Sequence, residues 1–202
     1  MTAATHPRVP KLSSSAIATV GKERVKVLTG FEVPWLEAHA VGYALTVEGT
    51  CGDNLALHLA LAEAQEGEVL VANVGGELPV AHWGGLMAVA AQHRGLAGVV
   101  LNGAIRDRAE LAALQFPIFF RGTSPTPPTK RARGQRRVAI KIDGVEINSG
   151  DLIAADADGI AILPADAMDV AFAAEASAAA EDALVRRLKE GESLLELLEL
   201  KR

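Results

Sequence analysis

The sequence predicts an α/β fold, and three observations carry that prediction. Short apolar runs of strand length occur at 69–74 and 96–101. Between them lie the Gly75-Gly76 loop and a helix beginning near Trp83, so the order is strand, glycine loop, helix, strand. That is the grammar of a βαβ unit with a buried parallel sheet. From Pro164 onward the chain turns alanine-rich, and a long helix is expected to about Glu190, with Pro164 at its start.

In chain order, residues 1–11 are polar and twice interrupted by proline, and are expected to form an arm ahead of one domain spanning 12–202. Ser13 to Ser15 can cap a short helix, because a serine oxygen accepts free backbone N–H groups at a helix start. Strands are expected at 24–28 and 41–47, while 31–39, with Pro34 and Trp35, is expected to form a loop that covers a neighbour. Asp53 or Asn54 caps a helix over 55–65. Leu86, Val89 and Ala90 share one face of the next helix, which predicts that this face meets the core. Asn102-Gly103 is expected to turn the chain after 96–101. Then come a short helix over 108–114, a strand at 118–120 and a proline-stiffened segment, TSPTPPT, at 123–129. Asp143-Gly144 predicts a hairpin, 156–159 a turn between two strands, and 193–200 a final apolar-faced helix. Small side chains on the long helix permit close approach to another subunit.

Composition narrows the function. Half the residues are apolar but only 4% are aromatic, so the core must come from Ala, Val, Leu and Ile. A net charge of −5 argues against a nucleic-acid partner, whose binding depends on neutralising phosphates. The one basic cluster, Lys130, Arg131, Arg133, Arg136 and Arg137, lacks interleaved aromatics and reads as a solvated loop or a subunit contact. A single cysteine, Cys51, excludes an internal disulfide and reads as a buried small residue rather than a nucleophile. No run of about 18 apolar residues predicts a membrane span, and a cytoplasmic location is expected.

The five histidines show no zinc spacing, and neither a nucleophile elbow nor a phosphate loop is present. What stands out is Arg106-Asp107, just past a strand, where ligands gather in open α/β sheets. Asp107 suits a hard divalent cation, and the Arg106 fork suits a carboxylate. Backbone N–H groups at the helix start, from Gly84 and Gly85 to Leu86 and Met87, can hold the same anion. These parts fit a 2-oxo acid; a surface ion pair capping the next helix is the alternative.

Four blocks carry a resemblance: GDNLALHLAL (52–61), WGGLMAVAAQHRGLAGVVLNGAIRD (83–107), FPIFFRGTSP (116–125) and GVEINSGDLIAADADGIAILP (144–164). In this order they resemble the RraA-like family, which includes the 4-hydroxy-4-methyl-2-oxoglutarate aldolases, over about 42–192. The resemblance implies a single swivelling β/β/α domain, assembled as a homotrimer or hexamer with its site between subunits. It implies a metal-dependent lyase that cleaves a 4-hydroxy-2-oxo acid to pyruvate, with oxaloacetate decarboxylation as a side activity. Arg106 and the amides of Leu86 and Met87 would hold the pyruvate carboxylate, and Asp107 would ligate Mg²⁺ or Mn²⁺. Glu181 is the match for a neighbouring subunit's glutamate that holds a metal-bound water. One position departs from the pattern: Gly85 stands where these aldolases carry an acidic residue, with Glu77 and His82 as nearby substitutes. That departure leaves two further readings open, a catalytically silent regulator and a relative repurposed for another 2-oxo acid. The ribonuclease-regulating relatives lack the aspartate, so Asp107 favours chemistry.

Overall fold

A computed structural model describes residues 12–200; the expected arm at 1–11 lies outside them. Strands are β1 (Lys26–Leu28), β2 (Ala40–Glu48), β3 (Val69–Asn73), β4 (Ala81–Trp83), β5 (Gly98–Ile105), β6 (Ile118–Thr123), β7 (Gln135–Arg136), β8 (Ile140–Ile142), β9 (Val145–Ile147), β10 (Leu152–Asp156) and β11 (Gly159–Leu163). Helices are α1 (Ser14–Gly21), α2 (Leu55–Glu63), α3 (Gly85–His93), α4 (Arg108–Leu114), α5 (Met168–Lys189) and α6 (Leu194–Leu197). All strands but the β8-β9 hairpin join one sheet, ordered β1-β11-β10-β2-β3-β5-β4, with β7 added on β2 and β6 on β5. The β1, β11, β10 and β2 pairings are antiparallel, and those of β3, β4, β5 and β6 are parallel.

The unbroken apolar runs follow from burial on both faces. In β5, Val99 and Leu101 face a core shared with α2, α3 and α4, while Val100 faces a second core with Phe119 and the hairpin residues Ile140 and Ile142. A third core lies under α1 and α5, where Ala154, Ala161, Ala171 and Ala174 let helix and sheet approach closely. Ser13 caps α1 as expected, its side chain accepting from the Ala16 N–H.

Five expectations are corrected. Asn102-Gly103 does not turn the chain: β5 runs through to Ile105, paired with β3 as far as Asn102 and with β4 at Ala104 and Ile105. The α3 face is inverted, because Met87, Ala88 and Ala91 are buried while Leu86 is 87% and Val89 55% exposed. Loop 31–39 covers its own sheet: Phe31, Val33 and Trp35 pack on the second core, and Glu32 pairs with Phe120. Helix α5 begins at Met168 rather than Pro164, whose carbonyl accepts the Ala167 N–H in a preceding turn. Cys51 is exposed, not buried.

Candidate active site

The site is made where two parallel strands end side by side. Trp83 of β4 pairs with Ile105 of β5, and the Arg106 N–H donates to the Trp83 carbonyl at 2.9 Å. Gly84 continues extended into α3, and Arg106-Asp107 leads into α4, so the two loops run against each other. Asp107 is left-handed at φ 61°, an uncommon conformation outside glycine that aspartate tolerates better than most. Its Oδ2 accepts the Gly85 N–H at 3.1 Å and lies 3.3 Å from Arg106 Nε. The Leu86 N–H, in the first turn of α3, has no acceptor within its helix, whereas that of Met87 donates to the Gly84 carbonyl. A Cβ at Gly84 would fall 2.7 Å from Asp107 Oδ2 and 3.0 Å from Arg106 Cγ, so only glycine admits this packing.

A cavity of about 150 Å³ opens beside this pair, walled by Asn54, His82, Trp83 and Met87 and overhung by Pro128 and Lys130. The Asp53 carboxylate fixes that overhang: it accepts from the Leu55 N–H, the Thr129 hydroxyl and the Arg131 N–H. Burial pushes the Asp53 carboxyl up, but these bonds outweigh it and the net shift is downward. Asn54 donates to the His82 carbonyl at 3.0 Å and lies against Met87 Sδ. His82 is fully buried, and its Nε2 accepts the Gly52 N–H at 2.9 Å, so the ring is neutral. Burial holds its pKa below the ordinary value, against a raising pull from Asp53. Asn54 Oδ1 and Trp83 Nε1 are buried without a partner among the described residues, and unsatisfied polar groups beside a cavity call for an explanation such as an ordered water or a ligand. On the other side of Arg106 and Asp107 an open groove of about 680 Å³ runs over Leu86, Val89, Glu110 and Leu114.

The structure thus brings together Gly84, Gly85, Leu86, Met87, Arg106 and Asp107 at one cavity mouth. Glu181 is not with them; it stands exposed on α5 and lines neither cavity. Glu77 accepts from the Cys51 thiol, and His82 is committed to Gly52, so neither fills the space over Gly85. Burial, then Glu77, pushes the Cys51 thiol pKa up, which makes it a poor nucleophile. Asn54, His58, Lys130 and Glu110 were not legible as site residues; a cap, a helix face and a basic loop accounted for them fully.

No group of three or more His, Cys, Asp or Glu among the described residues forms a metal cage. The donors present fit a hard cation that keeps most of its water and takes one or two carboxylates plus substrate oxygens, as Mg²⁺ does. Among the described residues no helix is long and apolar enough to cross a membrane.

The RraA-like family model (Aldolase/RraA) matches residues 19–162. A Thermus thermophilus protein named 4-hydroxy-4-methyl-2-oxoglutarate aldolase is 37% identical over 112 residues, covering 55% of this chain and 68% of that protein. A Halalkalibacterium halodurans protein, provisionally given the same name, is 44% identical over 124 residues, 61% of this chain. The match spans 59% of that relative's length. Among solved structures, the RNA-processing inhibitor RraA from Thermus superposes with a TM-score of 0.70 at 30% identity, covering 79% of this chain and 94% of that one. An uncharacterised Pseudomonas syringae protein shares the fold at a TM-score of 0.81 and 24% identity, covering 92% of each chain. The match over 19–162 and the superposition on the RraA structure agree, and the chain belongs to the RraA-like family.

Proposed function

We propose that this protein is a divalent-metal-dependent lyase that cleaves a 4-hydroxy-2-oxo acid to pyruvate and a second carbonyl compound. The observation that carries the reading is the Arg106 guanidinium held 3.3 Å from the Asp107 carboxylate at the mouth of a cavity, against the first turn of α3. Arg106 grips the substrate carboxylate through donors that Asp107 leaves free, and the Leu86 N–H and the positive end of α3 favour the same anion. Asp107 would hold Mg²⁺ or Mn²⁺, which when bound polarises the 2-oxo carbonyl and takes up negative charge developing on its oxygen. Arg106 keeps the C1–C2 plane fixed, so its contribution is orientation. The C4 hydroxyl gives its proton to water and becomes the second carbonyl, the C3–C4 electron pair moves toward C2, and C3 then takes a proton from water. Oxaloacetate fits the same grip, and loss of its distal carboxylate would follow the same electron flow.

The site is open on one chain. The exposed Leu86 and Val89 beside it, and the exposed stretch of α5, fit a homotrimer or hexamer in which Glu181 of a neighbouring copy approaches Asp107. The names of the relatives support an aldolase. The likeness to an RNA-processing inhibitor supports a regulator as the second reading.

The test is pyruvate release from 4-hydroxy-4-methyl-2-oxoglutarate and from oxaloacetate, with Mg²⁺ or Mn²⁺ and with chelator. Release that needs metal and is lost in Asp107→Ala is expected. Metal-independent release, or release unchanged in that variant, sinks the lyase reading; a stable protein complex with no turnover would favour the regulator.

A further inference from the structure

Resting on the lyase reading above, we propose that Glu110 is a positioning residue of the same site, a second carboxylate that orders the water shell of the cation held by Asp107. Glu110 is the third residue of α4, after Asp107 at the helix entry. A glutamate there ordinarily bends back to the N–H of the entry residue, forming a capping box. In this chain its carboxylate instead reaches sideways across to α3. Oε2 stands 2.8 Å from the point a Gly85 Cβ would occupy, and Asp107 Oδ2 lies 3.8 Å from that same point. Two carboxylates, from the start of α4 and the residue before it, therefore converge over Gly85, which has no side chain to displace them. Glycine at 85 and glutamate at 110 are one device: any larger residue at 85 would push Glu110 out of place.

The charge balance asks for a cation between them. The groove over Gly85 is lined by two anions, Asp107 and Glu110, and one cation, Arg106, before an anionic substrate enters. A bound carboxylate leaves the site net negative, which a divalent ion corrects. On the other side of Asp107, the smaller cavity carries Asn54, 4% exposed, with an Oδ1 acceptor that no described residue satisfies. Such an acceptor calls for a donor such as an ordered water. A cation of the Mg²⁺ class binds through one or two carboxylates and keeps several waters, so one carboxylate takes the ion and the other takes its water.

The experiment is Mn²⁺ binding by the full-length protein, followed by electron paramagnetic resonance of free Mn²⁺, for wild type, Asp107→Asn, Glu110→Gln and the double variant Gly85→Asp/Glu110→Gln. Thermal melts of each protein separate binding from folding. Loss of an outer carboxylate is expected to weaken Mn²⁺ about 10–100-fold in Glu110→Gln with little change in melting temperature. Restoring a carboxylate from the other side in the double variant is expected to recover most of that loss. If Glu110→Gln binds as tightly as wild type while Asp107→Asn does not, this assignment fails and the lyase reading stands. A melting temperature that falls while Mn²⁺ affinity is unchanged makes Glu110 a helix cap and overturns the proposal. A wild type that binds no Mn²⁺ overturns both.

Discussion

At Gly84 the site depends on the absence of a single carbon. Its neighbours Asp107 and Arg106 occupy the volume a Cβ needs. Gly84→Ala must shift that ion pair, and a misplacement of about 1 Å costs on the order of 100-fold in turnover. We expect kcat/KM for pyruvate release to fall by about that factor while the thermal melt moves little, because the residue is at a loop junction and not in a core. His82 gives a second prediction at this scale. Burial holds the folded-state pKa of His82 down, and burial followed by Lys130 does the same for His58. Below the ordinary histidine value of about 6.5, the unfolded chain therefore binds protons that the folded chain refuses. Stability is then complete above that value and falls as pH drops through it. Melting temperatures between about pH 5 and 8 should show a plateau above neutrality and a decline below it, smaller in His58→Gln.

Among the elements, α2 and α3 show how little a sequence pattern says about which face is buried. In α2 the buried residues are Ala56, Leu57, Ala60 and Leu61, a face that reaches the sheet through its small positions. Leu57 is fully buried in the first core, so Leu57→Ala should destabilise by about 2–5 kcal/mol, measurable by urea unfolding. In α3 Leu86 and Val89 face outward, while Met87, Ala88 and Ala91 face inward. Alanine lets the helix sit close enough to the sheet for Gly84 to touch Asp107, and Leu86 and Val89 are left for another surface. The β8-β9 hairpin was legible because Asp143 and Gly144 adopt the positive φ values that a tight turn demands. That logic failed at Asn102-Gly103, where the same residue types lie mid-strand. Gly103 is needed there because a Cβ would strike Val74, and Asn102 donates to Asn73 while accepting from Arg121.

For the whole molecule, the exposed apolar side chains predict association. Leu86 and Val89 flank the site on one side, and Phe172 on α5 and Leu194 and Leu195 on α6 are exposed. Val89→Glu places a charge in the groove beside Arg106 without entering any of the three cores. Light scattering should find the wild type at three or six chains and this variant shifted toward one. A wild type already at the mass of a single chain removes the shared-site part of the proposal. The sequence by itself determined the α/β class, most strand and helix positions and the Arg106-Asp107 pair, because these depend on local periodicity, turn chemistry and the chemistry of two adjacent residues. Only the tertiary structure decided that Glu110 faces Gly85, that Asn54 and Lys130 border the cavity, and that the α3 leucine and valine face outward. Those facts depend on how close two elements pack across the sheet, a distance set by alanines and glycines whose side chains carry no signal of their own.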